Sequence, residues 1–436
     1  YHHALDINAY QEAWRLASQR YPVLRTAFDW DGEPLQIITA QPSLTAAHFR
    51  LEDLSQLSVT AREAAIVELQ IADRAVAFDL SQPGLLRFTV IKHSDAHYTV
   101  LKTEHHSISD GWSGPLLWQT VHDYYQQLLA GQSPEVHPES TYLDAQQYLQ
   151  QQQSATRSYW KSLQANLGEP NDINGLLSQP IDLSQPPVID EPTETKLVLE
   201  EKDYQQLKAQ CRAQGVTLNV AVQFAWHKLL QIYTGDEQTI VGTTVSGRDI
   251  PVAGIESSVG LYINTLPLAL DWAADATIHT QLQTLQQRIA ALNSHSGIAL
   301  ASLQRGGARL FHSLLVFENY PAPVNTGDAD TLGVAFRSAV EKTDYPLSVI
   351  AYEQGDTLHI GLRHDARSLT TEKASRLVDQ LQRILAAIAD DPAQRHDQIP
   401  LLSRAEAQAL LHSWNDTDAP YPQDKTLQQL FEAQVE

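Results

Sequence analysis

The stretch 103-TEHHSISDGWS-113 sets two histidines side by side, His105 and His106, with Asp110 four residues after the second and Gly111 next to it. Imidazole titrates near neutrality, with an ordinary pKa of ~6.5, so it can take up and return a proton where few side chains can. Three kinds of chemistry suit the pattern. A metal centre would use imidazole and carboxylate ligands. Adjacent residues at a strand end point to opposite faces, however, so only one histidine readily joins Asp110, and no Cys/His cluster elsewhere supplies the rest. A hydrogen-bonded histidine pair would be purely structural. In the third arrangement one imidazole faces a cavity and handles protons. The other packs inward, and Asp110 anchors the loop by pairing with a buried arginine. Gly111, having no Cβ, would let the backbone approach a neighbouring strand or a substrate. No GxSxG, Walker loop or dinucleotide fingerprint points to a rival chemistry. The one thiol, Cys211, lies on a polar helical stretch without an activating neighbour and is a poor candidate nucleophile.

Elements on either side must hold this loop. The segments 85–92 and 98–105 read as the strands of a hairpin turning through 93–97. After the motif, 113–131 reads as a helix capped by Ser113 and closed by Gly131, with Leu117, Val121, Tyr124 and Leu128 as its buried stripe. Upstream, 7–20 has the spacing of an amphipathic helix, and 21-YPVLRTAF-28 reads as a strand with Arg25 inside it. The Pro-, Asn- and Ser-rich stretch 168–195 marks a crossing linker between an N-terminal unit, 1–167, and a second unit, 196–400. In the second unit a helix over 217–233 has Thr217 as its cap. Strands follow at 239–245 and 313–319, then a hairpin 345–354/357–365 turning at Gly355-Asp356, and a helix over 370–389. The polar stretch from 415 leads to a helix that starts with nothing left to pack on. The N-terminus likewise reads as a chain entered in mid-element.

Composition bounds the partners. With 43% hydrophobic and 19% charged residues the chain is globular, and 436 residues suit two core-bearing units. A net charge of −22 argues against nucleic acid and against an anionic membrane surface. No apolar run approaches the ~18–20 residues of a membrane span, and no signal peptide opens the chain. A single cysteine excludes a disulfide framework and fits a reducing cytoplasm.

The motif 105-HHSISDG-111 resembles the HHxxxDG signature of the condensation domains of nonribosomal peptide synthetases. Further blocks extend the resemblance over nearly the whole chain. They are 20-RYPVLRTAF-28, 233-YTGDEQTIVGTTVSGRD-249, 256-ESSVGLYINTLPL-268, 311-FHSLLVFENYP-321 and 343-TDYPLSV-349. The final 426-TLQQLFEAQVE-436 is similar to the start of an adenylation domain, which makes 401–436 a linker and the opening of that domain. Tyr21 departs from the family's histidine in the first of these blocks.

The resemblance implies an α/β fold of two chloramphenicol-acetyltransferase-like lobes in a V-shaped pseudodimer, with a central tunnel and the motif midway along it. Peptidyl carrier domains, one upstream with the donor and one downstream with the acceptor, would deliver thioesters on phosphopantetheine arms. The acceptor amine would attack the donor thioester. No metal or intrinsic cofactor is required. His106 takes the catalytic position, with His105, Asp110 and Gly111 as support. The family pairs this aspartate with an arginine away from the tunnel. Arg25 is the expected partner, since a charge in an apolar strand has to be compensated, and Arg20 is the next candidate. The segment 245–260, with Ser246, Gly247 and Arg248, would cross from the second lobe and floor the tunnel, Arg248 anchoring it. An epimerization or dual condensation/epimerization domain shares the motif, and a non-catalytic carrier-docking scaffold is a third class.

Overall fold

Helix α1 (Ile7–Arg20) forms where Asp6 accepts a hydrogen bond from Ala9 N at 3.0 Å and Tyr10, Trp14 and Ala17 share one buried face. The computed structural model describes residues 1–436 apart from 33, 186, 188, 190, 191, 305, 319–332, 341–343, 421 and 436. The end of the 311–321 block, Thr343 and Glu436 lie outside the described residues.

After α1 the backbone departs from expectation. Residues Pro22–Arg25 form a 3₁₀ turn with Pro22 at its start, and strand β1 is confined to Thr26–Asp29, paired with β2 (Leu35–Ile38). Proline fixes φ and supplies no donor, which suits the first turn of a helix better than a strand interior. Strand β3 (Phe49–Asp53) runs parallel to β4 (Leu86–Ser94), and β4 turns back into β5 (His97–Glu104). Helix α2 (Val59–Arg74) lies between β3 and β4 in the chain. Helix α3 (Ser113–Leu129) packs on α1, burying Leu117, Val121 and Tyr124. Helix α4 (Thr141–Gln164) then leads out of this first lobe, whose core centres on Tyr10, Trp14, Phe88 and Tyr125.

The 168–195 stretch is packed rather than a free linker: Ile173, Leu176 and Leu177 join the larger core of the second lobe. That lobe carries a six-stranded sheet in the order β6-β11-β10-β9-β7-β8. Its strands are β6 (Pro192–Glu200), β7 (Gln238–Val245), β8 (Asn264–Asp271), β9 (Ser313–Glu318), β10 (Leu347–Gln354) and β11 (Thr357–Asp365). Helices α5 (Glu201–Ala213), α6 (Leu218–Thr234), α7 (Ile278–Ser294), the single turn α8 (Leu300–Leu303) and α9 (Thr371–Asp390) complete it. Helix α6 is buried on nearly every side and packs on α7 and α9; apolar residues run all round it, and Gln223, His227 and Lys228 are buried among them. Cys211 is buried on α5, and burial pushes its thiol up to about 12, far from a nucleophile's range.

The two lobes repeat one device. Each has an antiparallel hairpin, β4–β5 or β10–β11, whose second strand runs through a short loop into a helix, α3 or α9. His97 and Thr357 open the second strands, and Asp110 and Thr370 follow them at equal separation. Both side chains accept from the amide three residues on, Ser113 N at 2.9 Å and Lys373 N at 3.4 Å. In this register Asp365 and Ala366 stand where the first lobe has His105 and His106. Between β7 and β8 the chain leaves the second lobe, and Ile255, Val259 and Tyr262 enter the first lobe's core.

Candidate active site

The motif loop springs from the end of β5. His105 N donates to Leu85 O at 3.0 Å, and Ile108 N to His105 O at 3.2 Å, closing a tight turn. His105 Nδ1 accepts from Ser107 N at 3.2 Å and pairs with Ser107 Oγ at 2.8 Å, so the neutral ring carries its proton on Nε2. The ring is half-buried and lies edge-on to Phe78, 6.1 Å between centroids. Burial lowers its pKa and the neighbouring His106 adds to the effect. His106 is exposed. Its Nδ1 lies 3.3 Å from Ser109 O; a carbonyl only accepts, so Nδ1 donates and Nε2 is the basic nitrogen.

Asp110 is buried beneath the loop. Its Oδ1 accepts from Ser113 N at 2.9 Å, Ser113 Oγ at 2.7 Å and Arg248 at 3.2 Å. Its Oδ2 accepts from Tyr262 N at 3.0 Å and Ile263 N at 3.3 Å. The aspartate, not Ser113, therefore caps α3; Ser113 is the first helical residue. The Ser113 hydroxyl also receives Gly260 N at 3.0 Å and Arg248 at 3.0 Å. Gly111 sits in the turn between Asp110 and α3.

Arg248 is the partner of Asp110, and the expectation of Arg25, or failing that Arg20, is corrected. The Arg248 and Asp110 side chains are 3% and 2% exposed. The other guanidinium arm donates to Ile255 O at 2.5 Å and Ser258 O at 2.9 Å, and the group lies 4.2 Å above the Tyr262 ring. Burial lowers the Arg248 pKa, opposed by Asp110 and Tyr262. Arg25 instead donates from its 3₁₀ turn to Ser18 O, at 2.8 Å, and to Thr39 O. The carbonyls exposed around that turn compensate it in place of a carboxylate. Arg20 lies over the Tyr21 ring at 5.3 Å. Both Asp110 oxygens are occupied by these donors, so the carboxylate is not turned to share a metal with either imidazole.

The crossing segment is bound along its length. Ser246 Oγ accepts from Arg248 N at 3.2 Å. Gly247 has φ +65°, and a Cβ there would collide with Tyr262 O, so only glycine fits. Trp112 Nε1 donates to Glu256 O at 2.8 Å. Ser258 Oγ bonds Glu139 and meets Tyr262 OH at 2.6 Å. Trp112, Glu139, Ser258 and Tyr262 carry no local sequence signal of these roles. Ser113 does carry one, a hydroxyl at a helix start, but it points to a cap and not to the bonds with Gly260 and Arg248.

The family model described as the condensation domain matches residues 1–411. The chain is 35% identical to N-(5-amino-5-carboxypentanoyl)-L-cysteinyl-D-valine synthase of Amycolatopsis lactamdurans, over 100% of this chain and 12% of that protein. It is 31% identical to chondramide synthase of Chondromyces crocatus, over 94% of this chain and 10% of the relative. The chain thus spans about an eighth or less of these curated relatives. Among solved structures, the first condensation domain of the calcium-dependent antibiotic synthetase superposes with a TM-score of 0.67 at 21% identity, covering 92% of both chains. The X-domain from teicoplanin biosynthesis gives 0.74 at 19% identity, covering 92% of this chain and 91% of that one.

The chain belongs to the condensation-domain family of nonribosomal peptide synthetases, the amide-forming acyltransferases of those assemblies. Its two lobes are those of the chloramphenicol-acetyltransferase-like fold.

Proposed function

We propose that this domain joins a donor acyl or peptidyl thioester to the amine of an acceptor aminoacyl thioester. Each substrate arrives on the phosphopantetheine arm of a carrier domain, upstream for the donor and downstream for the acceptor, and an adenylation domain adjoins the chain. The setting is the cytoplasm. Among the described residues no helix is long and apolar enough to cross a membrane.

The observation that carries the reading is the pose of His106. It is exposed at the tip of a braced loop, and its bond to Ser109 O makes Nε2 the basic nitrogen. The donor is already activated as a thioester, so alignment of two tethered reactants does much of the work. As the amine attacks, an N–C bond forms, the C–S bond breaks, and the amine's proton leaves with the thiol. His106 Nε2 accepts that proton or bonds the developing ammonium.

Loading donor and acceptor carriers and reading the product by intact mass tests this. His106→Ala should lose ~10²–10⁴-fold of amide formation if the imidazole is a base, while a loss of a few fold would indicate a positioning role. His105→Ala should act through loop geometry and retain more activity. Near-native turnover of His106→Ala would refute the assignment of His106, whereas no amide product from the parent domain with both carriers loaded would favour a docking scaffold. One relative is a synthase named for a D-valine product, which makes epimerization the second reading. Racemization of a single loaded carrier, without amide formation on two, would establish it.

A further inference from the structure

Helix α4 is held by both lobes. At its head Tyr142 and Ala145 are buried in the first lobe's core. Toward its tail Trp160 packs with Val245, Leu266, Leu292 and Leu303 of the second lobe. Trp160 Nε1 donates to His295 O at 2.9 Å, the Tyr159 ring stacks on His295 at 4.3 Å, and Gln164 donates to Leu303 O at 2.8 Å. The helix changes lobes within about one turn, for after Ala145 it is Leu149 that lies against Gly297 of the second lobe. It is unbroken from Thr141 to Gln164, and Tyr142 and Trp160 stand about 27 Å apart along it at the usual rise per residue. A displacement of the tail is therefore carried to the head.

The head rests on the brace of the motif loop. The Tyr142 ring stands edge-on to Tyr262, 5.6 Å between centroids at 78°, and a Cβ on Gly260 would collide with it. Gly260 N binds Ser113 Oγ and Tyr262 N binds Asp110 Oδ2, at 3.0 Å each. On its other side the Tyr142 hydroxyl bonds the Gln36 amide at 3.1 and 3.2 Å. We propose that Tyr142 is a positioning residue for the reaction: as the head of α4 it transmits the placement of the second lobe to the brace of the motif loop, and so to His106. This rests on His106 being the group presented to the substrates. A second connection runs beside the helix. Trp160 packs with Val245 and Leu266, and the strands that hold them, β7 and β8, lead into and out of the crossing segment. The two routes differ at Tyr142, which only the helical one needs.

Trp160→Phe keeps an aromatic ring at the tail and removes the bond to His295 O. NMR of the full chain without substrate follows the Tyr262 and Ile263 amides and the His106 ring. All three signals should shift in Trp160→Phe. In a Tyr142→Leu background, where no ring bears on Gly260 and Tyr262, adding Trp160→Phe should move none of them further. In a Tyr142→Phe background, which keeps the ring and loses only the bonds to Gln36, the shifts should return. A merely structural Tyr142 would not gate the effect of a residue at the other end of the helix. Amide formation with both carriers loaded should fall roughly tenfold in Trp160→Phe, in kcat more than in KM, as small misplacements of a reacting group do. Shifts that persist in the Tyr142→Leu background would assign the coupling to β7 and β8 and overturn the proposal, as would unmoved signals in Trp160→Phe. Should Tyr142→Leu fail to fold, the bulkier Tyr142→Met takes its place with the same expectation. Should Trp160→Phe fail, Gln164→Met removes the neighbouring bond to Leu303 O instead. Gated shifts with unaltered amide formation would refute the reading of His106, and with it the service of Tyr142 to the reaction, whereas ungated shifts leave that reading intact.

Discussion

Removing Arg248 should cost more than removing Arg25 or Arg20, and the structure sets the scale. In Arg248→Met the Asp110 carboxylate keeps Ser113 N, Ser113 Oγ, Tyr262 N and Ile263 N but loses its counter-ion, while Ile255 O and Ser258 O lose their donor. With side chains 3% and 2% exposed, water screens neither member of the pair. Truncating one partner of such a pair typically costs ~3–5 kcal/mol. Asp110→Asn should cost about as much, because an amide offers one oxygen where the carboxylate offers two. Whichever way it flips, an NH₂ faces either Ser113 N and Arg248 or the Tyr262 and Ile263 amides, and each orphaned donor costs ~1–3 kcal/mol. Arg25→Ala loses only bonds to carbonyls and should cost ~1 kcal/mol. Amide hydrogen exchange is the assay, since Tyr262 and Ile263 donate directly to Asp110 Oδ2. A ~3 kcal/mol loss corresponds to roughly 10²-fold faster exchange at those amides where opening is rate-determining by equilibrium. A double-mutant cycle should show strong non-additivity between positions 110 and 248. If Arg248→Met cost under ~1 kcal/mol, or the two substitutions simply added, the account of the pair as the brace of the loop would be wrong.

Gly247→Ala should destabilise by at least ~2 kcal/mol, since its left-handed φ is joined by a backbone clash with Tyr262 O, whereas at the left-handed Gly254 an added Cβ would stand 3.6 Å from Thr141 Oγ1, an ordinary contact, and Gly254→Ala should cost only ~1–2 kcal/mol; thermal unfolding of the two variants checks the order. His227 is fully buried, its Nδ1 2.8 Å from Thr239 Oγ1, and burial, with Arg288 adding, holds it down to about 3. The unfolded chain takes up that proton near the ordinary pKa of ~6.5 and the fold does not, so stability falls as pH drops from ~6.5 toward ~3. Urea titrations across that range should show a shallower loss in His227→Asn than in the parent chain, and equal slopes would refute the assignment.

What the sequence made legible was what is local. The hairpin β4–β5, helix α3, the Thr217 cap of α6 and the span of α9 lie where periodicity and turn residues put them, because each is decided within a few neighbours. Arg25 shows where this ends. The apolar pattern of 21–28 suits a strand, but Pro22 starts a 3₁₀ turn, and that turn aims the guanidinium at carbonyls. The true partner of Asp110 is 138 positions away in the chain. A buried carboxylate announces that some cation must meet it, yet nothing in local spacing chooses which one. The same holds for Trp112, Glu139 and Tyr262, whose roles appear only when the crossing segment is laid on the first lobe. The long helices α2, α4 and α7 were not placed from sequence, their polar faces blurring the period.

The repeated device gives these contacts their meaning. In the second lobe the loop after β11 ends on Thr370, which caps α9 with its hydroxyl, and Asp365 and Ala366 occupy the places of the histidines. A hydroxyl is enough to cap a helix. The first lobe places a carboxylate there instead, and the extra oxygen and charge are spent on Arg248, Tyr262 N and Ile263 N, all from the crossing segment. Asp110 therefore does two things at once: it starts α3, and it binds the other lobe's excursion to the base of the loop that presents His106. If the segment were drawn away, Asp110 would lose three of its five donors, keeping only the amide and hydroxyl of Ser113. The loop would lose its brace. Any movement of one lobe against the other that preserves the pose of His106 must then leave 248–263 attached to the first lobe. The bending must be taken up at both ends of the segment, where it leaves β7 at Ser246 and the left-handed Gly247 and where it returns into β8 at Asn264.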